Sequence, residues 1–186
     1  MDRNSHSPRF VRQIPDGDTR TRSVCETCGF IHYENPKVVV GSVVTCEDRI
    51  LLCRRAIDPR KGYWTLPAGY MELNESTEDA ARREAREEAN ALIRIDALLA
   101  VYSIARISQV QIIYRATLEN RDIAPGVESL EVALLPWADI PWQDLAFPSV
   151  RWALTQFRSV RDKQVFAPFA NPDGETGDLV PGQAGL

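Results

Sequence analysis

The chain has 186 residues, of which 44% are hydrophobic and 26% are charged, and its formal net charge is −4. This length predicts roughly one domain, with a core that needs no disulfides. The acidic balance argues against a general affinity for nucleic acid or for anionic membranes, and no apolar run approaches the roughly 20 residues of a membrane-spanning helix. The polar N-terminus contains no apolar signal region. We therefore expect a cytoplasmic protein that binds neither nucleic acid nor membrane.

The first third of the chain predicts a polar segment followed by a hairpin. Residues 1–22 are polar and rich in turn signals, and little regular structure is expected there. The valine-rich run 37–45 predicts a buried strand. A second strand is expected at 50–55, so that the two form a hairpin.

Residues 76–89 are expected to form a helix. Ser76 and Asp79 have the spacing of a capping box at its start. Alanine-rich sequence without Gly or Pro follows, and Asn90 tolerates the left-handed conformation that ends many helices.

Beyond this helix, alternating and apolar patterns predict further strands at 93–107, 109–118 and 132–135 and an amphipathic helix at 149–160. Residues 168–186 contain Pro, Gly and Asp throughout and predict a frayed tail. Strands before and after a central helix favour a mixed α/β sandwich. We divide the chain into a small N-terminal knuckle-like segment (1–36), a main domain (37–162) and a C-terminal tail (163–186).

Three glutamates of the predicted helix share one face. Glu84, Glu87 and Glu88 are spaced i, i+3 and i+4, and like charges at this spacing destabilise a helix. The arginines of the helix are expected to point elsewhere: Arg82, Arg83 and Arg86. A divalent cation would relieve the repulsion, and Mg²⁺ prefers carboxylate oxygens and substrate phosphates. The alternative interpretation is a solvated acidic face.

The surrounding sequence resembles the Nudix box, the signature of hydrolases that cleave nucleoside diphosphates linked to another group. The matching string is Gly69-x5-Glu75-x7-Arg83-Glu84-Ala85-x-Glu87-Glu88. It departs from the family pattern at its end, where Asn90 replaces Gly and Ala91 replaces a larger aliphatic residue. The resemblance implies a Nudix-type α/β/α sandwich with a mixed sheet.

The resemblance also implies roles for the box residues. The three helix glutamates, Glu84, Glu87 and Glu88, would be catalytic and would bind Mg²⁺ or Mn²⁺. Glu75 and Arg83 would form an orienting ion pair, and Gly69 would bring a backbone carbonyl close to a metal. Metal ions would neutralise a pyrophosphate before water attacks phosphorus.

Further segments resemble the ADP-ribose/FAD pyrophosphatase branch of bacteria and plastids: 33–41, 50–55, 64–70 and 125–131. This resemblance implies cleavage of ADP-ribose or FAD with release of AMP. Glu128 would lie where related enzymes place a further acidic metal ligand, and Glu131 is a neighbouring candidate. An ordinary loop carboxylate is the alternative interpretation of Glu128.

Cys25-x-x-Cys28 has the spacing of half a zinc ribbon. The related branch carries a second pair upstream, where this chain has residues 3–6 instead. His6 and His32 are the only histidines, so a Cys2His2 zinc site remains open. We favour a remnant knuckle held by packing alone.

Other candidates are less specific. Arg54 and Arg55 could contact substrate phosphates, although a surface ion pair is the alternative for each. Three aromatic residues could stack on adenine or flavin, but we expect each to belong to the core: Trp64, Tyr70 and Tyr102. Two further cysteines, Cys46 and Cys53, are interpreted as small core residues.

Two other functions remain open. One is an NADH or mRNA-cap pyrophosphatase, although a Ser-Gln-Pro-Trp-Pro-Phe-like stretch typical of that branch is missing from 100–110. The other is a non-catalytic ligand-sensing Nudix domain, although such domains often lack the metal-binding glutamates that this chain retains. The expected partner is a small nucleotide, and a homodimer is possible.

Overall fold

The computed structural model describes residues 8–178, which divide into two compact units between Pro36 and Lys37. The strands are β1 (Phe10–Gln13), β2 (Arg22–Cys25), β3 (Ile31–His32), β4 (Lys37–Cys46), β5 (Arg49–Arg55), β6 (Trp64–Thr65), β7 (Ala68–Tyr70), β8 (Ile93–Ile104), β9 (Gln109–Leu118) and β10 (Ser129–Pro136). The α-helices are α1 (Thr77–Ala89) and α2 (Pro148–Val160).

The N-terminal unit is a three-stranded antiparallel sheet in the order β1-β2-β3. The expectation of little regular structure before residue 22 is therefore wrong for Phe10–Gln13, which pairs with Arg22–Cys25. The turn between these strands is closed by Asp18, whose carboxylate accepts hydrogen bonds from the side chain of Arg22 and from the backbone of Arg20. These bonds lower the pKa of Asp18 to about 2. A single polar side chain thus organises a segment whose composition resembles a loop.

The second unit contains a mixed sheet in the order β10-β5-β4-β9-β8. β4 and β9 run parallel, and the remaining neighbours along this order are antiparallel. The short strands β6 and β7 pair with β5 and β4. The predicted hairpin is confirmed. The strand predicted at 93–107 ends at Ile104 and continues as a 3-10 turn, and the strand predicted at 132–135 extends over Ser129–Pro136.

The two α-helices cover opposite faces of this sheet. Val44 and Leu51 pack in one cluster with Ala85 of α1, whereas Val43 and Leu52 pack in another cluster with α2. Because successive side chains of a strand point to opposite faces, this alternation places one helix on each side. The predicted α/β/α sandwich is confirmed. Within residues 8–178, no helix is both long and apolar enough to cross a membrane.

The segment after α2 is ordered along β8 and is not the frayed tail that its composition predicts. The backbone N–H of Phe169 donates to the Leu99 carbonyl at 2.9 Å, and the N–H of Val101 donates back to the Phe169 carbonyl at 2.9 Å. Backbone pairing with a strand edge gives Pro- and Gly-containing sequence a fixed path. The last predicted tail residues, 179–186, lie outside the described residues.

Candidate active site

Helix α1 begins and ends as its sequence predicts. The Ser76 hydroxyl accepts the backbone N–H of Asp79 at 3.1 Å, and Asn90 has a φ of 50°. The N–H of Asn90 donates to the Arg86 carbonyl at 2.9 Å. These caps fix the residues at which the helix begins and ends.

Two of the three helix glutamates are buried. Glu84 and Glu88 are 7% and 5% exposed, whereas Glu87 faces solvent. Burial, and then the neighbouring charge of Glu84, raise the pKa of Glu88 to about 8. Burial likewise raises the pKa of Glu84, against the opposing effect of Arg83. Two carboxylates are thus held close together in a place that stabilises their charges poorly.

The helix is approached on one side by Gly69. A Cβ on this residue would lie 2.4 Å from a carboxylate oxygen of Glu84, so no other residue type fits there without a shift. The neighbouring N–H of Ala68 points to a Glu88 oxygen at 3.4 Å. Strand β7 therefore lays its backbone directly against both buried carboxylates.

On another side, the loop before β10 approaches the C-terminal end of α1. The N–H of Gly126 donates to the Glu88 carbonyl at 3.0 Å, and a Cβ on Gly126 would lie 1.7 Å from the Glu87 carbonyl oxygen. This contact requires glycine and fixes the loop that carries Glu128. The charge of Glu128 contributes to the raised pKa of both Glu84 and Glu88.

Arg83 faces the glutamates, which corrects the expectation that no arginine lies on their face. Its guanidinium donates to Glu75 at 2.8 and 3.0 Å, to Glu84 at 2.7 Å and to Glu87 at 2.9 Å. Another of its N–H groups donates to the Tyr70 carbonyl at 2.9 Å. The long side chain bends across the helix surface, which spacing along the helix alone does not reveal. Hydrogen bonding to Arg83 lowers the pKa of Glu75 to about 2.

A cavity of about 980 Å³ opens beside these groups. The expected site residues that line it are Arg55, Gly69, Arg83, Glu84, Glu87, Glu88 and Glu128. Glu75 is joined to this group through Arg83. The structure thus brings together most of the residues that the sequence singled out.

Arg54, unlike Arg55, does not line the cavity. Its Nε donates to the Gly62 carbonyl at 2.9 Å, and its guanidinium lies 3.6 Å from Glu131. Because neighbouring residues of β5 point to opposite faces, Arg55 faces the cavity and Arg54 does not. The expected substrate contact by Arg54, and a site role for Glu131, find no support in this geometry.

The aromatic and cysteine candidates divide between core and cavity. Tyr102 is fully buried and donates to Gln156 at 2.5 Å, as expected of a core residue. Tyr70 is 52% exposed and lines the cavity, so its assignment to the core is wrong. Cys53 is buried, and burial raises the pKa of its thiol, whereas Cys46 is only partly buried.

Several cavity residues were not singled out in the sequence: Asp58, Gln109, Gln111, Phe147 and Gly177. They come from four separate stretches of the chain, and only their spatial arrangement gives them a common role. Gln109 and Gln111 show how a strand can signal such a site, because both polar side chains point to the same face of β9 and hydrogen-bond each other at 2.7 Å.

The chemistry of the helix carboxylates fits a divalent cation. Among residues 8–178, no three acidic, histidine or cysteine side chains already converge on a point that could hold a metal, and Arg83 supplies the positive charge beside Glu84 and Glu87. Hard cations such as Mg²⁺ and Mn²⁺ prefer oxygen ligands. Two buried carboxylates with raised pKa values are a donor set that such a cation would stabilise.

The N-terminal unit offers fewer donors. The thiol of Cys25 has a lowered pKa, chiefly because the backbone N–H groups of Cys28 and Thr27 bond to its sulfur. Within the part of the chain that the structure describes, these two cysteines do not belong to any group of three or more candidate ligands. His6, the other ligand considered, lies outside the described residues. The described part of this unit therefore does not fit a four-ligand zinc site.

The fold and this site place the chain among α/β sandwich enzymes that carry an acidic site on one helix. Residues 35–155 match the family model described as the NUDIX domain, and the chain belongs to the Nudix hydrolase family. Residues 7–34 match a second model, described as Nudix N-terminal, of the zinc-ribbon type.

Relatives and solved structures support the same family. A crystal structure of a NUDIX hydrolase from Nitrosomonas europaea is 44% identical, covers 90% of this chain and 97% of that chain, and has a TM-score of 0.84. An ADP-ribose pyrophosphatase from Methanocaldococcus jannaschii is 38% identical over 38% of this chain and 42% of its own length. An NAD-capped RNA hydrolase from Photobacterium profundum is 28% identical over 65% of this chain and 44% of its own length. This chain thus spans less than half the length of these two curated relatives.

Proposed function

We propose that the protein is a metal-dependent pyrophosphohydrolase that cleaves ADP-ribose, FAD or both, and releases AMP. The observation that carries this proposal is the pair of buried carboxylates, Glu84 and Glu88, at the wall of a large cavity. Similarity to an ADP-ribose pyrophosphatase supports the substrate class. Retention of all three helix glutamates favours catalysis over ligand sensing.

Each residue of the site has a proposed part in this reaction. Glu84, Glu87 and Glu88 would hold Mg²⁺ or Mn²⁺, with Glu128 as a further ligand, and the bound ions would neutralise the diphosphate and activate water. Arg55 faces the cavity and has a guanidinium suited to a phosphate oxygen. Arg83 and Glu75 would keep the helix carboxylates oriented.

The cavity also suits the organic parts of such a substrate. Its volume lies at the upper end of ligand sites, which run from about 300 to 1,000 Å³. Apolar side chains line it beside the charged groups, among them Ile57, Ile107, Val127 and Phe147. These surfaces can pack against adenine, flavin or ribose, while the glutamates hold the diphosphate end.

A second candidate is a pyrophosphatase acting on NADH or on an NAD cap. The observation that favours it is the N-terminal match, together with similarity to NAD-capped RNA hydrolases. The net charge of −4 argues against a long RNA partner. We rank free dinucleotides first for this reason.

A substrate panel tests the proposal. AMP release would be measured from ADP-ribose, FAD, NADH, an NAD-capped oligonucleotide and ATP, each with Mg²⁺, with Mn²⁺ and with a chelator. We expect ADP-ribose and FAD to be hydrolysed, no turnover with chelator, and ATP to be at least about tenfold poorer because it lacks a second organic half. ATP turnover equal to either would refute the substrate assignment, and turnover in chelator would refute the metal requirement.

The proposal also covers the cellular location and the oligomeric state of the enzyme. We infer a cytoplasmic protein that binds small nucleotides, and a homodimer is the oligomer we would test first, by light scattering with and without nucleotide.

A further inference from the structure

The segment 169–178, which we call the C-terminal wall, is built onto the edge of β8. Its first residue, Phe169, exchanges two backbone hydrogen bonds with β8. The Ala170 carbonyl accepts a hydrogen bond from the Gln156 side chain of α2 at 3.0 Å. The wall is therefore fixed to a strand and to a helix at its start.

Asn171 continues this attachment with its side chain. Its amide oxygen accepts the backbone N–H of Ser103 at 2.9 Å, and its amide nitrogen donates to the Ser103 carbonyl at 3.0 Å. The same nitrogen lies 3.2 Å from the Glu175 carbonyl. A side-chain amide thus replaces backbone pairing where the wall turns away from the strand.

The end of the wall reaches the substrate cavity. Gly177 lines that cavity together with Ile104 and Arg106. A Cβ on Gly177 would lie 2.4 Å from Ile104 and 3.2 Å from Trp152. The next residue, Asp178, accepts a hydrogen bond from the Nε of Arg106 at 2.5 Å.

This ion pair gives the cavity an arginine whose charge is already balanced. Asp178 also accepts from the Thr176 hydroxyl at 2.9 Å, which orients its carboxylate toward Arg106. Among the described residues, Arg55 has no such carboxylate within ion-pair distance, and its charge acts on Glu88. The two arginines therefore offer different surfaces: Arg55 suits the diphosphate, and the Arg106–Asp178 pair suits hydroxyl groups.

We propose, on the basis of the function proposed above, that the C-terminal wall determines substrate specificity. The Arg106–Asp178 pair would select an organic group without a further phosphate, because Asp178 cancels the charge that would attract one. Asp178 would then be a specificity residue that acts through Arg106.

Substrates that differ by one phosphate test this proposal. The three nucleotides are ADP-ribose, ADP-ribose with an added phosphate on the adenosine ribose, and ADP-ribose with an added phosphate on the terminal ribose. Asp178→Asn should raise kcat/KM for at least one phosphorylated form relative to ADP-ribose by about 3- to 10-fold, a modest change because exposed charges are screened. The double variant with Arg106→Gln should return the ratio to the wild-type value.

Unchanged ratios in Asp178→Asn, or the same increase in the double variant, would overturn the proposal. Wild-type turnover of ADP-ribose tests the proposed function separately. With an inactive wild type, that function would fail, and the pair would be tested by calorimetric binding of the same three nucleotides, with the same expected ratios.

Gly177 and Gly174 provide a matched test of the wall itself. Both have a φ of 78°, but a Cβ on Gly174 meets nothing within 4 Å. Gly177→Ala should raise the KM for the hydrolysed nucleotide about fivefold with kcat nearly unchanged, whereas Gly174→Ala should alter neither. Equal effects of both variants, or a loss confined to kcat, would contradict a role of the wall in binding.

Discussion

The chain contains two sequence patterns typical of metal sites, the glutamates of α1 and the cysteine pair of the N-terminal unit. The two patterns differ in how the protein stabilises the charged form of the side chains. The buried carboxylates of Glu84 and Glu88 have raised pKa values, because burial and the charges of neighbouring carboxylates disfavour ionisation. The Cys25 thiol has a lowered pKa, because backbone N–H groups of its own knuckle bond to it. The first site would gain from an external cation, whereas the second already receives stabilisation from the protein. The carboxylates are therefore the pattern of the two at which we expect a bound metal.

The largest expected effect concerns Glu88. Replacing it by Gln keeps its shape but removes a charge from the proposed cation site, so kcat should fall by about 10²- to 10³-fold. Circular dichroism should show an intact fold. Glu78→Gln, on the exposed side of the same helix, is the control and should leave kcat within twofold. Near wild-type turnover of Glu88→Gln would refute the role of this residue.

The same Glu88→Gln variant also tests, in the absence of metal, whether the Glu88 charge destabilises the folded state. The measured quantity is the pH dependence of the free energy of unfolding. The ordinary pKa of Glu88 is 4.5 and its folded value is about 8, so its neutral form favours the folded state. Its contribution to stability is fully present below pH 4.5 and is lost as pH rises through 8. In chelator, Glu88→Gln should therefore stabilise the protein by about 2–4 kcal/mol at pH 9 and by little at pH 5. Urea unfolding at both pH values measures this difference, and an equal gain at both would contradict it.

Arg83 partly neutralises the negative charge of the glutamates around it. Arg83→Gln should lower the free energy of unfolding by about 2 kcal/mol, since it removes charge-assisted hydrogen bonds to Glu75 and Glu84. Arg82→Gln is the matched control, because Arg82 forms only exposed ion pairs and should cost no more than about 0.5 kcal/mol. Equal losses in denaturant unfolding would show that Arg83 has no special role.

Glu128 tests how far the acidic site extends beyond the helix. Glu128→Ala should lower kcat on ADP-ribose and FAD alike, by about tenfold, if the carboxylate serves the cation site. Glu131→Ala, which removes only the contact with Arg54, should leave both rates within twofold. A change in the ratio of the two substrates would instead assign Glu128 to specificity.

The smallest expected signal comes from the cysteine pair. Purified protein should contain well under one zinc per chain by elemental analysis, because the described residues offer no third ligand beside Cys25 and Cys28. Cys25→Ser should leave this content unchanged. Stoichiometric zinc that is lost in Cys25→Ser would reverse the comparison and would direct attention to His6 and His32.

These sites also show what a sequence can predict. The helix α1 follows from local signals, since Ser76, Asp79 and Asn90 lie at its ends and the glutamate spacing defines its face. The burial of Glu84 and Glu88 could not be predicted from local signals, because it depends on packing against Gly69 and Gly126, which lie outside the helix in the sequence. The bend of Arg83 toward its neighbours depends on the same packing.

The strand positions of Arg54 and Arg55 are predictable, but the direction in which each points is not. The direction depends on which face of β5 meets the cavity, and that is decided by the pairing of β5 with β10 and β4. The structure of the C-terminal wall was the least predictable from sequence, because its hydrogen bonds join residues about 70 positions apart, as between Asn171 and Ser103.

The parallel pairing of β4 with β9 has a consequence for how the chain acquires its structure. Lys37 pairs with Gln109 and Thr45 with Thr117, so the centre of the sheet closes only after the hairpin, the box helix and β8 have all been synthesised. Long-range pairing of this kind slows folding, and until it forms, the apolar face of α1 lacks part of the surface that covers it. A nascent chain that ends before β9 would therefore leave the alanines of α1 partly uncovered, and transiently exposed apolar surface of this kind favours aggregation.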